Sequence, residues 1–396
     1  MQVSAKAMAC GLSPMRKFNP YEAEAVKKGR KVYHLNIGQP DIPTPAVAME
    51  AVRNYGEQVL AYAPSAGVPQ LINSVRDYYA RLGVQYGPKD IYITAGGSEA
   101  LYFVMLSILD EGCEVIVPEP YYPNYNTFIS SAGGKICPLP TSAEEGYHFA
   151  DKARIEALIN DKTRAILYSN PGNPTGAILS KEDLRVLADV AKEHNLYLIS
   201  DEVYREFVYG GEELTSIAQF DDIDDNAVVI DSTSKRFSAC GARIGMAITK
   251  NELLQQQLNK FCQGRLATAV LEQIAAAALY GLDASYFDVV REEYKHRREI
   301  CYKKLMEIPG VVCREPKGAF YLMPQLPIDD CEKFQIWLLE EFEDNGETLM
   351  FAPGTGFYAN PEDGKTQVRL AYVLKAEDLE RAMEILKIAI EKYNAR

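Results

Sequence analysis

Four short segments carry residue types that could do chemistry, and all four fall at or just after the ends of predicted strands. The most reactive is Ser232-Thr233-Ser234-Lys235-Arg236-Phe237, followed by Gly241 and Arg243. Lysines are mostly solvated surface groups, but Lys235 follows the apolar run AVVIDS (227–232) in a serine-rich loop. A lysine drawn out of water can act as a nucleophile or condense with a carbonyl compound. Arg243 could clamp a phosphate with both arms of its guanidinium. A second segment, Asp201-Glu202-Val203-Tyr204, ends the run LYLIS (196–200). A buried, unpaired carboxylate is strongly unfavourable, so Asp201 either meets a cation there or caps a helix. In SNPGNPTG (169–176) a rigid turn would hold Asn170 and Asn173, the latter as an amide donor in a fixed place, although an ordinary loop has the same composition. Finally, Ala95-Gly96-Gly97-Ser98 joins a strand to a helix. Free N–H groups at such a helix start can hold a phosphate, or the segment is simply a turn with its cap. Neither G-x-x-x-x-G-K-[ST] nor G-x-G-x-x-G is present.

Together these segments supply a helix-end phosphate cradle, an arginine clamp, an amide, a carboxylate and a lysine. One small cofactor needs all five. Pyridoxal 5′-phosphate (PLP) has a phosphate, a pyridine nitrogen that works best protonated, a phenolic oxygen and an aldehyde that reacts with lysine.

The elements that must position these groups alternate between short apolar runs and amphipathic ones. Strands are predicted at 91–94, 115–118, 164–169, 196–202, 227–232 and 243–249, with helices at 99–109 and 180–195. Ser180 with Asp183 resembles a capping box at the start of the second helix. Strands that read as continuous apolar runs between helices indicate an α/β fold with a mostly parallel sheet covered on both faces. Functional loops then lie at the carboxyl ends of the strands. From about residue 285 the pattern changes to a second, α+β unit: helices at 286–308, 331–344 and 376–393, and strands near 312–314, 319–324 and 367–372. We expect a large domain over 46–285 and a small one over 286–396, with residues 1–45 packing on the small domain or on a partner subunit.

A chain of 396 residues suits two such domains. Its 55 acidic against 42 basic residues leave a net charge of −13, which disfavours nonspecific binding to nucleic acid or an anionic membrane. No uncharged apolar run is long enough to span a bilayer, and the N-terminus lacks a signal-peptide core. The eight cysteines have no C-x-x-C spacing and only four histidines accompany them, so no metal site is expected. Scattered thiols of this kind suit the reducing cytoplasm.

The lysine segment, read as Ser232-Thr233-Ser234-Lys235-x-Phe237-x-x-x-Gly241-x-Arg243-Ile244-Gly245, resembles the cofactor-attachment signature of the class I/II PLP-dependent aminotransferases. Its order relative to NPGNPTG and DEVY is also theirs, and the likeness runs from NIGQPD (36–41) to VRLAY (368–372). The resemblance implies PLP fold type I, like that of aspartate aminotransferases, with a mostly parallel seven-stranded sheet between helices and a smaller α+β domain. It implies that Lys235 holds the cofactor and moves the proton at substrate Cα, and that Asp201 pairs with the pyridine nitrogen. Asn173 and Tyr204 would bond the phenolic oxygen, and Tyr122 would stack on the ring. Gly97, Ser98, Ser232 and Arg243 would hold the phosphate, with Tyr62 reaching the phosphate of a neighbouring subunit, so that the active sites of a homodimer are shared. The substrate carboxylate would meet Arg369, helped by Gly38 and Asn173; a structural ion pair for Arg369 stays open. Arg265, in KFCQGRLATAVLEQ (260–273), could contact a second substrate carboxylate, as in aspartate or glutamate, or cap helix 251–264. The implied reaction is a ping-pong amino transfer between an L-amino acid and a 2-oxo acid. A PLP-dependent C–S lyase would use the same lysine and acid; a more remote reading, a PLP-sensing regulatory domain, would bring an extra basic helix-turn-helix segment.

Overall fold

The computed structural model describes residues 1–211 and 214–396. Strand β1 (Lys31–His34) precedes the seven strands of the main sheet. These are β2 (Ile91–Thr94), β3 (Glu114–Pro118), β4 (Lys135–Leu139), β5 (Thr163–Ser169), β6 (Tyr197–Asp201), β7 (Ala227–Ser232) and β8 (Gly245–Ile248). Their order is β2-β8-β7-β6-β5-β3-β4. All neighbours run parallel except β8, which is antiparallel to both β2 and β7.

Alternation along the strands separates two cores. Ile166, Leu198, Val229 and Met246 point into one, and Leu167, Ile199, Val228 and Ala247 into the other. Both faces are covered, which is why β7 and β8 are buried at every residue, β7 reading as an apolar run up to Ile230. Edge strand β4 escapes that reading because its Lys135-Ile136-Cys137-Pro138-Leu139 mixes exposed and half-buried positions with a proline. The Ser180–Asp183 capping box forms in full. The Asp183 N–H donates to Ser180 Oγ at 3.0 Å, and the Ser180 N–H donates to Asp183 Oδ2 at 2.9 Å.

The strand registers bring the polar ends together, parallel between β5 and β6 and antiparallel through β8. Ser169 on β5 pairs with Asp201 on β6, and on β7 Ser232 pairs across to Gly245, which also faces Thr94 of β2. A side chain at Gly245 would strike the backbone of Gly96 and Gly97, so only glycine lets β8 start there.

The C-terminal part contributes β9 (Tyr321–Leu322), β10 (Glu347–Met350), β11 (Ala352–Pro353) and β12 (Val368–Ala371), with helices Ser285–Leu305, Cys331–Glu340 and Ala376–Asn394. Strands β11, β12 and β9 form a small antiparallel sheet, and β10 pairs in parallel with β1. The strand expected near 312–314 is reduced to a single bridge between Val312 and Gln325.

Beneath the carboxyl edge of the main sheet lies a buried charged layer. Arg236 pairs with Asp231, both fully buried, and Arg205 pairs with Glu202 at 2.7 Å. Tyr79 donates to Asp231 Oδ2 at 2.8 Å, and the Arg236 guanidinium lies 4.8 Å from the ring centre of Tyr78. Removing one member of such a pair strands the other charge in the interior, which typically costs about 3–5 kcal/mol. Arg236→Met should therefore lower the thermal midpoint sharply, and Asp231→Asn in the same chain should recover part of the loss. Melting of the single and double variants checks both signs.

Candidate active site

Strand β7 delivers the lysine. Ser232 caps a four-residue helix, Thr233–Arg236, accepting from the Ser234 N–H at 3.1 Å. This turn sends consecutive side chains opposite ways. Arg236 goes down into the charged layer and Lys235 goes up, where its Nζ donates to the Gly38 carbonyl at 2.8 Å. The Sγ of Cys240 is 4.0 Å from the same Nζ.

Strand β6 delivers the acid. Asp201 is buried and accepts from the Tyr125 hydroxyl at 2.8 Å, with the Val203 N–H at 3.4 Å from its other oxygen. Burial pushes the carboxyl up to about 6; Tyr125 and Val203 pull it down, and the charges of Asp231 and Glu202 push it up again. Its two acidic neighbours each have an arginine, whereas among the described residues no cation lies within ion-pair distance of Asp201.

Opposite the acid is a cation without an acid. Arg369, on β12, is 3% exposed, yet no described carboxylate pairs with it. Its Nη1 donates to Asn173 Oδ1 at 3.1 Å and its Nη2 to the Asn36 carbonyl at 2.8 Å, with Met15 Sδ 3.6 Å away. Its buried Nε has no partner. A structural ion pair does not account for this arginine.

Between these groups the glycine turn opens the helix Gly97–Ile108, whose first N–H groups have no acceptor inside the helix. Arg243 closes over the turn from a left-handed backbone position, φ 50°. Its Nη1 donates to the Cys240 carbonyl at 3.0 Å and its Nη2 to the Ala95 carbonyl at 3.3 Å. Gly96, at φ 81°, is forced twice over, because a side chain there would meet that guanidinium. Ser232 Oγ lies 2.8 Å from Ser234 Oγ. Tyr122 stands edge-on to Tyr125 at 5.5 Å, and desolvation pushes the hydroxyl of this half-buried ring up to about 12. The Tyr204 hydroxyl faces that of Tyr321 at 2.8 Å.

Lys235, Asp201, Tyr204, Tyr122, Asn173, Arg243, Gly97, Ser98, Ser232, Gly38 and Arg369 thus line the carboxyl edge of the sheet or the small sheet facing it. The other two expected residues are Tyr62, a side chain 83% exposed, and Arg265, which lines a groove with Ala95 and Ser98 beside the glycine turn. Arg265 ends the helix Glu252–Arg265, donates to the carbonyls of Ser65 and Ile93 at 3.2 and 3.1 Å, and lies 3.5 Å from Glu99. Two residues here had no signal in the sequence. Tyr125 is one aromatic among several in PEPYYPNY, and Tyr321 reads as part of an apolar strand.

The donor set fits PLP. A buried carboxylate lacking a cation suits a protonated ring nitrogen, and the helix start with Arg243 suits a phosphate. A main sheet of this order, with a lysine at one strand end and an acid at the next, defines a PLP-dependent enzyme of fold type I. The family model of aminotransferase class I and II matches residues 30–386. Aspartate aminotransferase of Bacillus subtilis (strain 168) is 35% identical over 377 residues, covering 92% of this chain and 93% of that protein. Among solved structures, an alanine aminotransferase from Pyrococcus furiosus superposes with a TM-score of 0.90 at 30% identity, covering 99% and 100% of the two chains. A mutant aspartate aminotransferase of Thermus thermophilus gives 0.89 at 30% identity, covering 98% and 100%. The chain belongs to the class I and II aminotransferases, with PLP as its cofactor.

Proposed function

We propose that this aminotransferase moves the amino group of an L-amino acid to a 2-oxo acid in two half-reactions at one site, with aspartate or glutamate among its donors. One observation supports the site assignment: among the described residues the buried Asp201 has no cation partner and the buried Arg369 no carboxylate, while Arg369 and Lys235 hold the carbonyls of Asn36 and Gly38, two residues apart. When bound, PLP supplies an electron sink for the pair of electrons left on substrate Cα. Lys235 Nζ would hold the cofactor and serve as the base that takes the Cα proton and the acid that returns it. Asp201 would keep the ring nitrogen protonated. Tyr204 and Asn173 would hold the phenolic oxygen, and Tyr122 would lie against the ring. Gly97, Ser98, Ser232 and Arg243 hold the phosphate. Arg369, with Gly38 and Asn173 beside it, fixes the α-carboxylate so that the Cα–H bond faces Lys235.

The acidic-donor reading leans on the names of the relatives more than on Arg265. That guanidinium is already engaged with the carbonyls of Ser65 and Ile93 and with Glu99, none of them in its own helix, so it ties the helix end to neighbouring segments. A homodimer is supported by the exposed run Val59, Leu60 and Tyr62 (72%, 62% and 83%), which a second copy would cover, placing Tyr62 at that copy's phosphate cradle. Eight unbridged cysteines suit a cytoplasmic setting.

Adding amino acids singly to the cofactor-loaded protein tests the reading. Aspartate or glutamate should bleach the visible cofactor band and release the matching 2-oxo acid, without pyruvate and ammonia from a C–S substrate. Arg369→Ala should raise KM for every amino acid about 10²–10³-fold, as loss of a buried charge partner does. Arg265→Ala should leave the ranking of donors unchanged. Unaltered KM in the Arg369 variant would remove the assigned carboxylate site.

A further inference from the structure

Tyr321 touches both ends of the site without belonging to either. It lies on β9, paired through Ala371 to β12, the strand that carries Arg369. Its ring is 1% exposed and lies under the Arg369 guanidinium, 4.4 Å from the ring centre. Its hydroxyl reaches the Tyr204 hydroxyl at 2.8 Å. The same hydroxyl fills the place where a side chain at position 38 would sit, so Gly38 is required there, and the Gly38 carbonyl accepts from Lys235 Nζ.

Two facing hydroxyls can bond in either direction. Tyr204 has one proton, and if it donates to Tyr321 it has none for the site. A cation on the face of the Tyr321 ring draws electron density from that phenol, which makes Tyr321 the donor and Tyr204 the acceptor. The Tyr204 proton is then free to point into the site. A hydroxyl that accepts one hydrogen bond is also a better donor of the next.

We propose that Tyr321 is a positioning residue for amino transfer: it donates to Tyr204, so that Tyr204 donates to the cofactor's phenolic oxygen, while its ring holds the Arg369 guanidinium in the plane that receives the substrate carboxylate. This rests on the roles given above to Tyr204 and Arg369. The two functions use different parts of one side chain, and substitution separates them.

The readout for the hydroxyl is the pH at which the visible band of the loaded protein changes, measured without substrate. A donor to the phenolic oxygen favours its deprotonated form and lowers that pH. Tyr204→Phe should therefore raise it. Tyr321→Phe, which keeps the ring, should raise it by about half a pH unit, a fraction of a charge-assisted hydrogen bond, with KM changed less than about twofold, since the ring still underlies Arg369. Adding Tyr321→Phe to Tyr204→Phe should change nothing more. Tyr321→Leu, which removes the ring as well, should also raise KM for the amino acid about tenfold, in the range of a desolvated cation–π contact. An unchanged pH in Tyr204→Phe would overturn the role of Tyr204 and the relay with it. A shift in Tyr204→Phe but none in Tyr321→Phe would overturn the relay alone.

Discussion

Lys235→Ala should lower kcat by at least about 10⁴-fold while leaving the apoprotein folded and its melting midpoint nearly unchanged. The two halves of this expectation come from the same geometry. The Nζ makes one close hydrogen bond, to the Gly38 carbonyl at 2.8 Å, and no ion pair among the described residues, so deleting it removes little that holds the fold. The backbone at 235 is anchored independently, by the Ser232 cap before it and the buried Arg236–Asp231 pair after it. In the proposed reaction, however, this amine would be both the covalent tether and the base at Cα. A positioned acid–base group alone contributes about 10²–10⁴-fold, and loss of the covalent route adds to that. Cofactor uptake should persist in weakened form, because Asp201 and the phosphate cradle remain. Initial rates, a cofactor-binding titration and a melting curve on one preparation test the three parts. A variant with kcat within tenfold of the parent would remove Lys235 from the mechanism.

How far the residues alone could be read depended on whether a signal was local. Lys235, Asp201 and the Ala95–Ser98 turn were legible because each breaks an apolar run at a strand end, where a reactive or flexible residue is conspicuous. Arg369, inside the apolar run VRLAY, stood out only through the family resemblance, and its lack of an acidic partner depends on what β9, β11 and the N-terminal segment place around it. Charge matching is equally non-local. Nothing in the order of Asp201, Glu202, Arg205, Asp231 and Arg236 says that the last four pair off and leave the first alone. Tyr321 was invisible because its meaning lies in a strand pairing and a glycine 283 positions away. The direction of β8 was also hidden, since an apolar run reads alike when it runs antiparallel. A lyase shares the lysine and the acid with a transaminase, so the motifs could not separate the two activities; the comparisons did.

The unmatched acid leads to the second large effect. Asp201→Asn should cut kcat about 10²–10³-fold and, above about pH 6, make the cofactor-free protein more stable than the parent rather than less. Losing one preorganised charge at a reacting centre has a cost of that size, and in the proposed site the ring nitrogen would lose the anion that keeps it protonated. The stability half follows from burial. The folded carboxyl titrates at about 6 against an ordinary value of 3.8, so between those values the folded apoprotein binds more protons than the unfolded chain. Stability therefore falls as pH rises through that window, by about 3 kcal/mol in all, and does not return above it. Asparagine has the same shape, can bond to Tyr125 and carries no charge to desolvate, so the variant should lack this decline. Filling the site with PLP should reverse the order, since a cationic ring nitrogen turns the buried charge of Asp201 into a favourable pair while the amide gains nothing. Melting curves of parent and variant from pH 4 to 8, with and without cofactor, decide the matter. A variant that melts lower than the parent at pH 8 without cofactor, and still turns over, would make Asp201 a structural residue.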